Sequence, residues 1–210
     1  MGKGNDYEMR RKQASARRRL AVLAGAGQCF AELGYKKTTM EEVSRRAEVS
    51  KGLVFHFFGS KQKLFRAVVE DSLNQWSTLS EYRASGAEGN TLAELRSLFL
   101  TSFDFKEHNP VLMLFARDEE ALLQTYLPEV TRQNRRWRAR IRRTLKQGVE
   151  NGEIRSIDVQ RVSVIFHQLQ IALLARRVPT DPLPHYDRKT VQLAIELFLR
   201  GIQAIDQKPI

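Results

Sequence analysis

The chain has 210 residues, 42% of them hydrophobic, enough to bury a sizeable core in one large domain or in a small one joined to a larger one, which excludes a disordered chain. Thirty-five Lys and Arg against 24 Asp and Glu leave a formal charge of +11, a balance suited to a polyanion, either nucleic acid or an acidic membrane surface. The charge is uneven: residues 1 to 66 hold 15 Lys and Arg against 6 Asp and Glu, or +9, and residues 67 to 210 hold 20 against 18, or +2, so the first third is where a polyanion is expected.

In chain order, the first periodic segment runs from Arg17 to Leu33. Its apolar positions Leu20, Leu23, Ala24, Gly27, Phe30 and Ala31 share one helical face, and Gly34 stands at the C′ position. Thr38 or Thr39 then caps a short helix with Glu41 and Glu42 in its first turn, where the helix dipole favours acid, and with Met40, Val43 and Ala47 inward. Glu48, Val49 and Ser50 separate it from a second short helix over 51 to 58, whose Val54 and Phe58 are expected in the core. Gly59 ends that helix, Ser60 caps the next, and Leu64, Phe65, Val68, Val69 and Leu73 continue a helical face toward Trp76. After a turn-rich break at Gly86 to Thr91, helices are expected at about 91 to 106, 110 to 124, 128 to 151, 158 to 177 and 187 to 204. Pro110, Pro128, Asn151-Gly152 and the loop from Pro179 to Pro184 mark the divisions. No segment alternates with period two, so the fold class is all-α.

Other chemistries find little footing. Cys29 is alone, so neither an intramolecular disulfide nor a multi-Cys metal site can form. His56, His108, His167 and His185 are scattered, with no HExxH, and no nucleophile and base arrangement or Gly-rich phosphate loop stands out. No metal, cofactor or enzyme activity is expected. The N-terminus is charged, and the longest apolar runs, such as 111 to 116, fall short of the roughly 20 residues of a membrane span. The expectation is a cytoplasmic protein outside the membrane.

A short helix, a three-residue turn and a second short helix in the basic third match the helix-turn-helix pattern, whose second helix enters the major groove of DNA. The segment FAELGYKKTTMEEVSRRAEVSKGLVFHFFGSKQKLF, residues 30 to 65, resembles the DNA-binding region of the TetR family of bacterial transcription regulators. That region typically runs Phe-x-x-x-Gly-Tyr/Phe, a Thr-Thr pair, Val-Ser-x-Gly, aromatics, Phe and, after a linker, Lys. Further on, NGEIR at 151 to 155 and LFLRGI at 197 to 202 are similar to stretches frequent in the family's later helices.

The resemblance implies a helix-turn-helix domain over residues 1 to 66 and a larger helical effector-binding and dimerisation domain over 67 to 210. It implies that Thr39 or Thr38 holds a phosphate from the start of the second helix, that Ser50, Lys51 and Gly52 meet the backbone and nearby bases, and that Lys61 grips a phosphate. Leu53, Phe55 and His56 depart from the family's usual small polar residue and two tyrosines. Phe55 has no hydroxyl to donate, His56 keeps a donor, and Leu53 suits a thymine methyl. For Phe55 and Phe57, core packing and DNA contact stand as alternatives. The arm with Arg10, Arg11, Lys12, Arg17, Arg18 and Arg19 has two readings, a contact to phosphates or a minor groove, or a weakly attracting tail.

For the remainder, the resemblance implies a homodimer whose last two long helices form a four-helix interface. Val162, Ile165, Phe166, Leu169 and Leu173 make one stripe and Val191, Ala194, Ile195, Phe198 and Ile202 another, and intramolecular core is the alternative for both. The expected interface residues are Val162, Ile165, Leu169, Leu173, Ile195, Phe198 and Ile202. Two-fold symmetry predicts a palindromic double-stranded operator with half-sites roughly 34 to 36 Å apart or more. The resemblance also implies a small-molecule pocket among the middle helices whose occupation releases DNA; Phe99, Phe103, Met113, Phe115, Trp137 and Phe166 are its candidate lining for a largely apolar effector, with plain core packing as the alternative for each. Arg132 to Lys146 is a basic run without acids, on a helix whose Trp137, Ile141, Leu145 and Val149 form the buried i, i+4 seam. It is read either as a solvated face or as a contact to an anionic group on the effector. The rival function is a basic helical protein that binds anionic lipid through residues 53 to 58.

Overall fold

The computed structural model describes residues 3–87, 89–109, 120–174 and 187–204. These residues are all-α: α1 (Lys3–Lys37), α2 (Met40–Arg46), α3 (Lys51–Phe58), α4 (Lys61–Ser85), α5 (Thr91–His108), α6 (Glu120–Glu150), α7 (Val159–Leu174) and α8 (Arg188–Ile202). The one extended pairing among the described residues is an isolated bridge between Ile154 and Gln203. The chain divides into two compact units within α4. The first runs through Leu73 and also takes in Asn109 and Glu120, and the second takes α4 from Asn74, α5, α6 from Ala121, α7 and α8.

In the first unit, Gly34 breaks α1 with φ 78, a left-handed conformation that glycine adopts without a side-chain penalty. The buried face of α1 is Val22, Leu23, Ala26, Cys29 and Phe30, which is rotated from the expected stripe: Leu20 is 58% exposed and Ala24 is exposed as well. The rotation has a physical reason. A Cβ on Gly25 would lie 3.2 Å from the Ala47 backbone nitrogen, so α1 turns its smallest residue toward α2 and the helices approach closely. Met40, Val43 and Ala47 of α2, Val54 and Phe58 of α3, and Leu64, Phe65, Val68 and Val69 of α4 are buried, as their spacing predicts. Phe30 and Phe65 meet edge to face at 4.7 Å, with Tyr35 5.2 Å from Phe65. The basic arm is helical from Lys3, and every residue from Asp6 to Leu20 is exposed.

The second unit centres on α5, which packs on α7 and α8. Its core includes Leu95, Leu98, Phe99, Ile141, Leu145, Phe166 and Ile195, each fully buried and each stabilising the fold by about 1.5 to 3 kcal/mol. Trp137, Ile141 and Leu145 form the buried seam expected of α6. Pro128 does not divide two helices but lies exposed inside α6, where a proline forfeits one backbone hydrogen bond. Of the helix expected at 110 to 124, residues 110–119 lie outside the described residues and 120–124 open α6. The Pro179 to Pro184 loop lies outside them too.

The segment 151–155 ties three helix ends together. The Glu153 carboxylate accepts from Thr91 N and Thr91 Oγ1, capping α5 from across the chain, while Arg155 N donates to Ile202 O at 3.0 Å and Ala204 N to Glu153 O at 3.0 Å. Ile154 is 2% exposed and seats against Gly148, where any Cβ would fall 2.5 Å from its Cδ1.

The stripes expected to face a second chain are partly internal. Ile195 and Ile202 lie in the unit's own core, because α8 turns that side toward α5, and Val191 and Leu199 join them. Phe198 packs on Phe166 at 5.4 Å, and Val162, Leu169 and Leu173 are half-buried. The apolar residues that face outward are Val164, Ile165 and Ile171 on α7 and Leu193 and Leu197 on α8.

Candidate nucleic-acid interface

Helices α2 and α3 are each held by a hydroxyl at the N-terminus. Thr39 Oγ1 accepts from Glu42 N at 3.1 Å and Ser50 Oγ from Leu53 N at 3.2 Å, which satisfies donors the helices leave open. Between them Glu48 takes φ 55, and Val49 N closes the turn on Ser44 O at 3.0 Å. Burial of Val54 and Phe58 then fixes the rotation of α3. Its opposite side presents Lys51, Gly52, Phe55 and His56 outward, with Leu53 and Phe57 half-buried beside them. Phe55 is 43% exposed, its ring open on the outer side of α3.

Thr38 and Thr39 separate clearly. Thr38 is 1% exposed and donates its hydroxyl to Gly34 O at 2.8 Å and Cys29 O at 3.1 Å, so it finishes the α1 turn and has no outward oxygen. Thr39 is exposed and is the one of the pair available from outside. Lys61 differs from the phosphate contact expected of it. Its ammonium donates to Tyr35 O, Lys36 O and Thr38 O at 3.0, 3.2 and 3.1 Å and lies 4.6 Å from the Tyr35 ring centroid. An ammonium has three protons, and three carbonyls take them, so Lys61 ties the start of α4 to the turn after α1.

Two contacts were not legible in the spacing. Arg19 stacks its guanidinium over Phe58, 5.1 Å from the ring centroid, joining the basic arm to the far end of α3. Lys51 pairs with Glu41 at 3.2 Å, both exposed, so the cation is held at the mouth of the turn. An i to i+10 pair across a turn has no periodic signature. Gly52 adds a third observation: a Cβ there would meet nothing within 4 Å, so nothing among the described residues requires a glycine.

With Val54 and Phe58 inside, α3 lacks the continuous apolar face that the lipid reading needs, and no helix among the described residues is long and apolar enough to cross a membrane. Residues 22–68 match the family model described as bacterial regulatory proteins, tetR family. The repressor KstR2 of Mycobacterium tuberculosis is 30% identical over 152 residues, covering 69% of this chain and 74% of the relative. The chain belongs to the TetR family.

The likeness extends beyond the DNA-binding unit. The solved structure of KstR2, a ketosteroid transcriptional regulator, superposes with a TM-score of 0.64 at 25% identity, covering 90% of this chain and 96% of that one. The uncharacterized transcriptional regulator YhgD of Bacillus subtilis is 24% identical over 188 residues, 89% of this chain and 97% of the relative. AibR, solved in complex with isovaleryl coenzyme A and operator DNA, shares the fold with a TM-score of 0.63 at 15% identity, over 86% of this chain and 97% of that one. As a TetR-family helix-turn-helix protein, this chain is a sequence-specific DNA-binding transcriptional regulator.

The expected pocket and basic run fall as follows. Phe99 and Phe166 are fully buried and meet edge to face at 5.3 Å, Phe103 stacks on Phe99 at 5.7 Å, and Trp137 is 5% exposed. Met113 and Phe115 lie outside the described residues. In the basic run, Arg140 pairs with Glu94 at 3.3 Å, Arg142 donates to Gln160 at 3.1 Å and Lys146 pairs with Glu150 at 3.4 Å. Arg132, Arg135, Arg136 and Arg143 are exposed.

Proposed function

We propose that the chain represses transcription as a homodimer on a two-fold-symmetric operator and that a small molecule taken up by its second unit releases the DNA. The observation that carries the DNA contact is the outward side of α3: a lysine, a sterically unneeded glycine, an open phenyl ring and an imidazole on one short helix in the strongly basic third of the chain. In this reading Thr39, Ser50, Lys51 and Gly52 meet phosphates, with Gly52 letting the DNA backbone approach closely. Leu53, Phe55 and His56 reach base edges, Leu53 and Phe55 by apolar contact to thymine methyls and His56 by a hydrogen bond. Lys61 acts behind them by holding the turn.

The homodimer reading rests on Val164, Ile165, Ile171, Leu193 and Leu197, which leave an apolar face on α7 and α8, two helices already joined through Phe166 and Phe198. The effector reading is supported by the aromatic interior of the second unit and by the repressor function in the names of the KstR2 relatives. An effector with an anionic part would find Arg132, Arg135 and Arg136, which have no charge partner among the described residues.

Fluorescence anisotropy tests the DNA step. Purified protein is titrated into the duplex upstream of its own gene and into a scrambled duplex, across a salt series. Tight, sequence-dependent binding is expected for wild type and is lost in Lys51→Ala/His56→Ala. Equal, steeply salt-dependent binding to both duplexes leaves only the electrostatic attraction standing.

A further inference from the structure

The interior of the second unit holds a polar ring, three sides of it hydrogen bonds and the fourth a contact between two indoles. Trp76 Nε1 donates to Ser102 Oγ at 3.3 Å and Trp137 Nε1 to Gln170 Oε1 at 2.7 Å. Gln170 Nε2 donates to Ser102 Oγ at 2.9 Å and to the carbonyls of Leu98 and Phe99 at 3.3 Å. The two indoles lie 4.4 Å apart. Each indole and amide N–H in this ring thus ends on an oxygen of the protein. Ser102 Oγ accepts two bonds, which leaves its own proton to give.

Two neighbouring atoms are not satisfied in this way. Ser80 Oγ and His167 Nδ1 are buried, in residues only 1% and 5% exposed, and have no hydrogen-bond partner among the described residues. Buried polar atoms are nearly always paired, so both call for an explanation.

Their positions converge. The contacts of Thr91 with Asn151 and Glu153 put the end of α4, the start of α5, the end of α6 and the start of α7 at one end of the unit, so α4 runs toward that end and α7 away from it. Ser80 lies one turn after Trp76 on α4, and His167 one turn before Gln170 on α7. At about 1.5 Å per residue, both are displaced from the ring toward the shared end, by about 6 Å and about 4.5 Å, each on the face of its helix that carries the ring residue.

We infer that Ser80 and His167 receive the polar head of the effector, an oxygen acceptor such as a carboxylate or ketone carbonyl on an otherwise apolar body. This rests on the reading that the second unit takes up a small molecule. Ser80 and Ser102 bring O–H donors, and the neutral imidazole brings an N–H at Nδ1 in one tautomer, so an acceptor answers all three. Arg138, next to Trp137, adds positive potential at His167, which favours an oxygen carrying negative charge. The apolar body has Phe99, Phe103 and Phe166 to pack on.

The test has a built-in reporter, because Trp76 and Trp137 are the chain's two tryptophans. Full-length protein is titrated with three matched probes, hydrocinnamate, benzylacetone and butylbenzene, while tryptophan emission is followed. The acid and the ketone are expected to bind saturably and about tenfold or more tighter than the hydrocarbon. Ser80→Ala/His167→Leu should erase that preference and leave butylbenzene unchanged. If the double variant does not fold, Ser80→Ala alone should weaken benzylacetone roughly threefold or more. Arg138→Gln should weaken hydrocinnamate and spare benzylacetone, separating charge from hydrogen bonding. Equal affinity for the three probes, no saturable change with any of them, or a preference that survives the variants overturns the inference. Adding each probe to the operator complex tells the two proposals apart. Selective binding with no effect on DNA affinity leaves the site standing and removes effector release, whereas release that is the same in the variants removes the site.

Discussion

The two units place their polarity in opposite ways. In the first, the buried hydroxyls of Thr38 and Ser44 bond to nearby backbone carbonyls, and Lys51, Phe55 and His56, the groups proposed to recognise DNA, stand outside on α3. In the second, the interior itself is polar in part, with Trp76, Ser102, Gln170 and Trp137 joined in a chain of hydrogen bonds and Ser80 and His167 beside it. A polyanion recognised from outside needs an exposed basic face on a rigid support. A small molecule recognised from inside needs hydrogen-bonding groups already stripped of water, at a standing cost of about 1 to 3 kcal/mol for each unpaired group.

The sharpest way to break this contrast is at its outer pole. Lys51→Ala/His56→Ala is expected to lower affinity for the specific duplex by about two orders of magnitude or more, since it removes a phosphate contact and a base-edge contact together. Thermal unfolding should hardly change, because both side chains are exposed. A large loss of stability would mean that α3 is held by these residues and that its outer side is not free for DNA.

Lys61→Met probes the support instead. Three carbonyls lose a charged donor, so the first unit should be destabilised by about 2 kcal/mol, read as a lower unfolding midpoint. The salt dependence of DNA binding should keep its slope. A shallower slope with unchanged stability would return Lys61 to the phosphates.

Gly52→Ala separates folding from recognition with a smaller change. Helix propensity predicts a gain of about 0.5 to 1 kcal/mol in stability, since the added methyl meets nothing in the chain. Anisotropy should nevertheless show weaker operator binding, by roughly tenfold, if the DNA backbone needs the space the methyl fills. An alanine variant that is more stable and binds as well would show that the glycine has no part in the contact.

How much of this was legible beforehand differs between the units for a physical reason. The cap at Thr39, the turn at 48 to 50, the cap at Ser50 and the inward Val54 and Phe58 are local events, each set by residues no more than five apart along the chain, so spacing alone announces them. The rotation of α1 was not, because it depends on Gly25 meeting Ala47 of another helix. Lys61 could not be told from a free cation either, since its three acceptors lie 23 to 26 residues upstream. In the second unit the helical period located α5 and the seam of α6, but a period of 3.6 says only that a face is apolar. It cannot say whether the face meets its own chain, as Ile195 does, or stays open, as Leu193 and Leu197 do. Trp137 and Phe166 were singled out as aromatic lining. Gln170 and Ser80 were not, because a lone Gln or Ser on a helix carries no signal until the fold buries it.

The subtlest expected effect lies at the inner pole and concerns pH. Burial, and after it the nearby Arg138, holds His167 below the ordinary histidine range, so the folded unit keeps a neutral imidazole. The unfolded chain takes up a proton near pH 6.5, the usual value for histidine. The unfolded state therefore binds more protons as the pH falls, and stability drops from about pH 6.5 downward until the folded imidazole itself titrates. Above that window the contribution is fully present. Between pH 7.5 and 5.5 the unfolding midpoint of wild type should fall by more than that of His167→Gln, because glutamine takes up no proton on unfolding. The exposed His56 remains in both proteins and cancels in the comparison. Parallel curves would mean that the imidazole has a hydrogen-bonding partner that stabilises its charge, and the inner pole would then be less apolar than its burial indicates.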